Sequence, residues 1–275
     1  MNMVQAGILG VVEGLTEFLP VSSTGHLTIT ESLLNIKTDK NSVTGFTAVI
    51  QVGAILAAIV YFRRDIVRLV VAFVRGLGSA PARQETDWRL ALCVIAGSIP
   101  IGVVGFLAKD FIKRDLRSLW VVAVGLIVWS AVMVLAERVA SYRRHEADTT
   151  LKDALVIGLM QCIALVPGVS RSGATISAGL FRGLDRVAAT RLSFLLGIPA
   201  LVAAGAYELK DALSGGVGLA PTLLATAIAF VVAYVSIAWL LRFVVKHSIA
   251  VFAGYRVLLG LVVIGLLAGH VISAT

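Results

Sequence analysis

The chain is predicted to be an all-α integral membrane protein, with about six transmembrane helices and two re-entrant helical hairpins arranged as inverted-topology repeats. Three observations lead there. Hydrophobic residues make up 58% of the 275 positions and charged ones 15%. Apolar runs long enough to cross a hydrocarbon core of ~30 Å recur along the chain. A polar cluster interrupts the first apolar stretch and is echoed in the second half.

The first stretch, residues 1–20, is apolar but carries Glu13 and Glu17 and lacks both a basic leader and a small-residue cleavage site. It is therefore expected to stay in the mature protein. The candidate spans that follow are 45–62, 90–108, 118–136, 192–207, 219–241 and 249–271. Lys and Arg concentrate beside them: segments 63–89, 138–152 and 242–247 hold twelve, against seven in 31–43, 109–118 and 208–218. The richer set is expected to face the cytoplasm, which leaves both termini outside. Topology thus accounts for the net charge of +8 without a nucleic acid partner. Cys93 and Cys162 each lie alone in an apolar run, so packing is expected of both rather than a disulfide or a thiolate metal site.

Sliding the chain by 148 positions superimposes Ala6 on Ala154, Gly10 on Gly158, Val21 on Val169, Ser22 on Ser170 and Gly25 on Gly173. Residues 1–275 then form a single polytopic domain, with a first inverted repeat at 1–137 and a second at 149–275. With three spans between the copies, the two enter the membrane from opposite faces. Pro20 to Gly25 in one copy and Pro167 to Gly173 in the other break the apolar helix, and the freed backbone groups must be buried in protein or line a wet cavity.

The first break reads Glu13-Gly-Leu-Thr-Glu17-Phe-Leu-Pro20-Val-Ser22-Ser23-Thr24-Gly25-His26. Glu13 and Glu17 fall on one helix face, a spacing that suits a divalent metal or an acid/base pair. Ser22, Ser23 and Thr24 supply hydroxyls and His26 an imidazole, the minimum for an activated nucleophile. The second break reads Pro167-Gly168-Val-Ser170-Arg171-Ser172-Gly173-Ala-Thr175, preceded by Gln161 opposite Glu13. Its guanidinium, hydroxyls and free N–H groups at a helix start make a phosphate site. Ionisable groups inside apolar stretches are expensive, so Glu13, Glu17, His26 and Arg171 are expected to be functional. Ser170, Ser172 and Thr175 suit close helix packing equally well. Asp110, Lys113, Arg114 and Asp115 read as a solvated outer loop, His145 and His247 as solvated, and Arg256 as an anchor snorkelling from the end of the last span.

These residues fit phosphoryl transfer on a lipid-tethered substrate. They fit equally a carrier that moves a lipid phosphate or an anion without chemistry, because the same side chains bind phosphate as well as they cleave it. A structural scaffold gives no reason for the buried Glu and Arg.

The two clusters, residues 13–26 and 167–175, resemble the signature motifs of the bacterial undecaprenyl-diphosphate phosphatases, also called bacitracin-resistance proteins, and the resemblance in length, spans and motif spacing runs along essentially the whole chain. It implies an inner-membrane enzyme whose active site opens to the periplasm. That enzyme removes the terminal phosphate of undecaprenyl diphosphate, recycles the carrier for peptidoglycan synthesis and so confers bacitracin resistance. It implies Glu17, Ser23, His26 and Arg171 as catalytic residues, with Ser23 the nucleophile and His26 a general acid/base. Ser22, Thr24, Ser170, Ser172 and Thr175 join Arg171 in binding substrate. A divalent cation, Mg2+ or Ca2+, is implied on Glu13 and Glu17. The small-residue stretches 102–105 and 203–206 permit a homodimer.

Overall fold

The computed structural model describes residues 1–34, 36, 40–108, 111, 116, 118–212 and 218–273, with backbone alone at 40–44 and 207–212. Among the described residues there are eleven α-helices and no strand longer than the single bridge between Arg144 and Leu184. They are α1 (Met3–Thr16), α2 (Ser23–Leu33), α3 (Lys40–Tyr61), α4 (Arg63–Gly78), α5 (Thr86–Leu107), α6 (Leu119–Val139), α7 (Leu151–Ile163), α8 (Arg171–Phe181), α9 (Arg186–Ala212), α10 (Leu219–Phe243) and α11 (Val251–Ala268). The outer loop expected around Asp110, Lys113, Arg114 and Asp115 lies outside the described residues.

Five helices, α5, α6, α9, α10 and α11, are long and apolar enough to cross a membrane, and α3 with α4 makes a sixth candidate bent by 70°. The chain is a multi-pass membrane protein. The bend shows that the basic segment 63–89, expected beside the spans as a connection between them, is in its first half a helix. Residues Arg63–Gly78 form an amphipathic helix, with Val67, Val70, Val71, Val74 and Leu77 exposed on one stripe and Leu69, Ala72 and Gly76 buried on another. Its arginines lower the local hydropathy enough to hide the helical period from a span search.

Two short helical pairs replace full spans, α1 with α2 and α7 with α8. Helix α1 starts with a capping box between Asn2 and Gln5, and α7 with one between Thr150 and Asp153. Helices α2 and α8 have the same length and begin 148 residues apart, at Ser23 and Arg171. The preceding residue takes the left-handed region in both, Ser22 at φ 78° and Ser170 at φ 76°. In each case the strained serine caps the helix, its Oγ accepting from the backbone N–H of Gly25 or Gly173.

The helices cross between the halves. Helix α1 packs on α10, with Gly10 against Ala225, and α7 packs on α5, with Gly158 against Gly97. Helix α3 also packs on α9 and α10, and α6 on α11. One end of the bundle is tied by arginines: Arg68 to Asp87 at the start of α5, Arg191 to Asp65 and Glu146, Arg144 and Arg182 to Asp153, and Arg186 to Glu137. The carboxylate of Glu137 also accepts from the N–H of Ile249, just past α10. Helix α7 therefore enters from the arginine-rich end, beside the start of α5, and α1 enters from the other end, beside the first half of α10. The two breaks meet between them.

Candidate active site

The first break follows from the sequence Glu17-Phe-Leu-Pro20. Proline cannot continue the hydrogen-bond ladder of α1, and the chain turns through Val21 to Ser22 before α2 begins. Phe18 is fully buried there, edge-on to Phe194 at 5.3 Å between centroids, and this packing fixes the turn that carries Glu17. In the second break Gly168 sits at φ 93°, and a Cβ on it would lie 2.2 Å from the carbonyl oxygen of Val122. Only glycine allows both that conformation and that approach.

The breaks are bonded to each other. Ser22 Oγ accepts from the N–H of Gly168 at 3.2 Å, and Ser172 Oγ donates to the carbonyl of Leu19 at 3.0 Å. This brings the first residues of two helices, Ser23 and Arg171, to the same carboxylate. Ser23 Oγ donates to Glu17 Oε2 at 2.6 Å, and Arg171 Nη2 donates to Glu17 Oε1 at 3.1 Å. Two helix N-termini converge on this place, each with a partial positive charge.

Three side chains of the two hairpins keep buried polar atoms without a protein partner. Glu13, 1% exposed and within electrostatic reach of Glu17 and Arg171, leaves Oε1 unpaired. Arg171 leaves Nη1 unpaired. Gln161, the counterpart of Glu13, is fully buried with both amide atoms unpaired. Buried polar groups are ordinarily satisfied, so unpaired atoms at such a place are what a polar ligand requires.

His26 lies one turn into α2. Its Nδ1 is 2.7 Å from the carbonyl oxygen of Ser22, and its Nε2 is 2.6 Å from the hydroxyl of Tyr255. The remaining predicted hydroxyls are held by the fold. Ser170 caps α8 and bonds Ser172, and Thr175 donates to the carbonyl of Arg171 while it accepts from Ser193 Oγ at 2.5 Å. These contacts lock the turn from which Arg171 projects. Thr24 is exposed at the start of α2.

Arg256 corrects the sequence reading outright. It does not snorkel: it is 0% exposed and donates to the carbonyls of Pro20 at 3.0 Å, Gly168 at 2.8 Å and Val169 at 3.0 Å, and to Ser130 Oγ at 3.1 Å. The physical reason is that the two breaks leave carbonyls that lipid cannot satisfy, and one guanidinium with five donors reaches both. An arginine inside an apolar run is the available signal, and its place in the first turns of the last helix is equally that of a snorkelling anchor. Tyr255 gave no such signal, and neither did Gly197, where α9 lets Arg171 pass.

Among the described residues no three of His, Cys, Asp and Glu gather as a metal cage. Glu13 with Glu17 nonetheless fits a hard divalent cation. Glu13 brings a buried unpaired carboxylate oxygen, and Mg2+ is commonly held by one or two carboxylates with substrate phosphate and water completing its shell. Beside the second break an apolar cavity of about 460 Å3 opens, lined by Trp120, Val124, Val128, Ile163, Val166 and Val169.

The family model for the bacitracin resistance protein BacA matches residues 6–262. The chain is 59% identical over 275 residues to the undecaprenyl-diphosphatase of Acidothermus cellulolyticus, covering all of both chains. It is 56% identical to undecaprenyl-diphosphatase 3 of Frankia casuarinae and 50% identical to the undecaprenyl-diphosphatase of Mycobacterium sp. strain KMS, again over the full length of each.

Proposed function

The chain belongs to the bacitracin resistance protein BacA family, and on that premise we propose that it is an undecaprenyl-diphosphatase, hydrolysing undecaprenyl diphosphate to undecaprenyl phosphate and inorganic phosphate. The observation that carries the reading is the single carboxylate of Glu17 shared by the hydroxyl of Ser23 and the guanidinium of Arg171, one from each break. A hydroxyl donating to a carboxylate beside an anion clamp is the arrangement a phosphoryl transfer needs.

In this mechanism the terminal phosphate enters between the two helix starts, where the free Nη1 of Arg171 and the N–H groups of α2 and α8 meet its oxygens. Ser23 Oγ attacks the terminal phosphorus as its proton passes to Glu17 Oε2, and the bond to the bridging oxygen breaks. Arg171, already on Glu17, turns part of its charge to the transferring phosphoryl group. His26 donates a proton to the leaving lipid phosphate and takes one from the water that later attacks the phosphorus on Ser23, while Glu17 returns its proton to Ser23 Oγ as that bond breaks. Ser22, Ser170, Ser172 and Thr175 bind through the frame they hold, and Thr24 from the open side of α2. A Mg2+ or Ca2+ ion, when bound by Glu13 and Glu17, supplies charge neutralisation for the diphosphate oxygens.

The prenyl tail lies against lipid in the apolar cavity beside Val169, two residues from Arg171. Two inverted repeats, 1–137 and 149–275, are supported by the matched caps and the opposite entry of the two hairpins. By the arginine-rich end facing the cytoplasm, the protein sits in the bacterial inner membrane with the site open to the periplasm. The stretches 102–105 and 203–206, exposed at all but Gly105 and Gly205, are where a homodimer would pack.

The test is phosphate release from undecaprenyl diphosphate by detergent-purified protein, with and without chelator, beside Ser23→Ala. Release lost on both treatments is expected. Release that survives Ser23→Ala removes the serine as nucleophile. No release by folded wild type under any metal favours the carrier, which has no use for a serine hydroxyl on a carboxylate.

A further inference from the structure

Tyr255 takes no part in the chemistry above, yet it is bonded to the histidine that does. Its hydroxyl is 2.6 Å from Nε2 of His26, and the two rings stack with centroids 5.6 Å apart and planes 18° from parallel. The contact joins α11 to α2 across 229 positions of sequence.

The other ring nitrogen decides what this contact means. Nδ1 faces the carbonyl oxygen of Ser22, which accepts and cannot donate, so Nδ1 carries the hydrogen. In the neutral ring Nε2 is then the acceptor, and the Tyr255 hydroxyl donates to it. When Nε2 is protonated the same hydroxyl turns and accepts. A phenol serves both states of the imidazole, and a second group that holds the ring of an acid/base histidine is what such catalysts use to fix tautomer and direction.

The neighbouring residue makes the placement firm. Arg256 binds the carbonyls of both breaks, so the turn of α11 that presents Tyr255 is anchored to the frame that presents Ser23 and Arg171. Tyr255 is 48% exposed, so its hydroxyl can swing away when a phosphate oxygen arrives. The charge that bears on the ring is Arg256 from α11; Glu17 and Arg171 pair with each other, and Glu17 with Ser23, at the start of α2. The α6 face against α2 is apolar at Leu119 and Ala123.

We propose that Tyr255 is the positioning residue for His26, holding Nε2 in line for the substrate and yielding that nitrogen to a phosphate oxygen of the lipid diphosphate when it binds. This rests on the phosphatase reading, in which His26 moves the proton.

The experiment compares Tyr255→Phe, Tyr255→Leu and His26→Gln in the purified full-length protein, reading phosphate release against substrate concentration and pH. Tyr255→Phe keeps the stacked ring and loses only the hydroxyl. Its kcat is expected to fall about tenfold with KM within about twofold, and the limb of the pH profile set by His26 to move. Its unfolding temperature should match wild type. Tyr255→Leu, which loses the stack as well, should fall further. Wild-type kcat and pH profile in Tyr255→Phe beside an impaired His26→Gln would overturn the inference and leave the phosphatase reading intact. An equal loss of kcat with an unmoved pH profile would also overturn it, because that is the mark of a structural role. Wild-type turnover in His26→Gln would remove the histidine from the chemistry and the inference with it.

Discussion

Arg171 crosses α9 at Gly197 so closely that a Cβ built on the glycine would lie 1.6 Å from Nη1 of the guanidinium. The guanidinium of Arg171 therefore keeps its place only while residue 197 has no side chain. The atom that must move is the far end of a flexible arginine, so the helix itself need not yield.

Gly197→Ala is expected to fold and to lose activity. Alanine suits a helix interior better than glycine by ~1 kcal/mol, so the unfolding temperature should hold or rise while Nη1 is pushed off the phosphate position. Phosphate release should drop by about a hundredfold, the order seen when one charge-stabilising donor is lost. Activity close to wild type in the purified variant would show that Arg171 does not need this path.

Arg256→Ala leaves the carbonyls of Pro20, Gly168 and Val169 without donors in a place water does not reach. At ~1–3 kcal/mol for each buried group left unpaired, a loss of at least ~3 kcal/mol is expected, read as a fall in unfolding temperature in detergent. Arg256→Lys should recover part of it, since an ammonium has three donors against five and lacks the planar fork. An Arg256→Ala variant that unfolds with wild type would mean the breaks are held by Ser22 and Ser172 alone.

Gly168→Ala combines a left-handed backbone with a Cβ 2.2 Å from the Val122 carbonyl. Strain of ~1–3 kcal/mol at the dihedral adds to the displacement of α6 from the second break. Both stability and phosphate release should fall together, in contrast with Gly197→Ala, where only activity falls. Measuring the two variants side by side separates damage to the frame from damage to the clamp.

Much of the fold was legible because lipid imposes long uniform apolar runs. The spans at 90–108, 118–136, 219–241 and 249–271 correspond to α5, α6, α10 and α11 within a few residues. The paired breaks were legible from proline, glycine and serine recurring at one offset. Helix α4 was not, because a period shared between valines and arginines has the mean hydropathy of a loop.

What the sequence determined by itself is the membrane class, the two interruptions and the set of ionisable residues near them: Glu13, Glu17, His26 and Arg171. These are local properties, since solvent and backbone geometry decide them residue by residue. What only the tertiary structure decided is which group faces which. Ser23 and Arg171 share Glu17 although 148 residues separate them, Arg256 reaches back 236 residues to Pro20, and Tyr255 reaches 229 to His26. Such pairings come from helices of one half packing on helices of the other. No period or composition along the chain records them, because the partner of a buried polar group is chosen by the packing that excludes water from both.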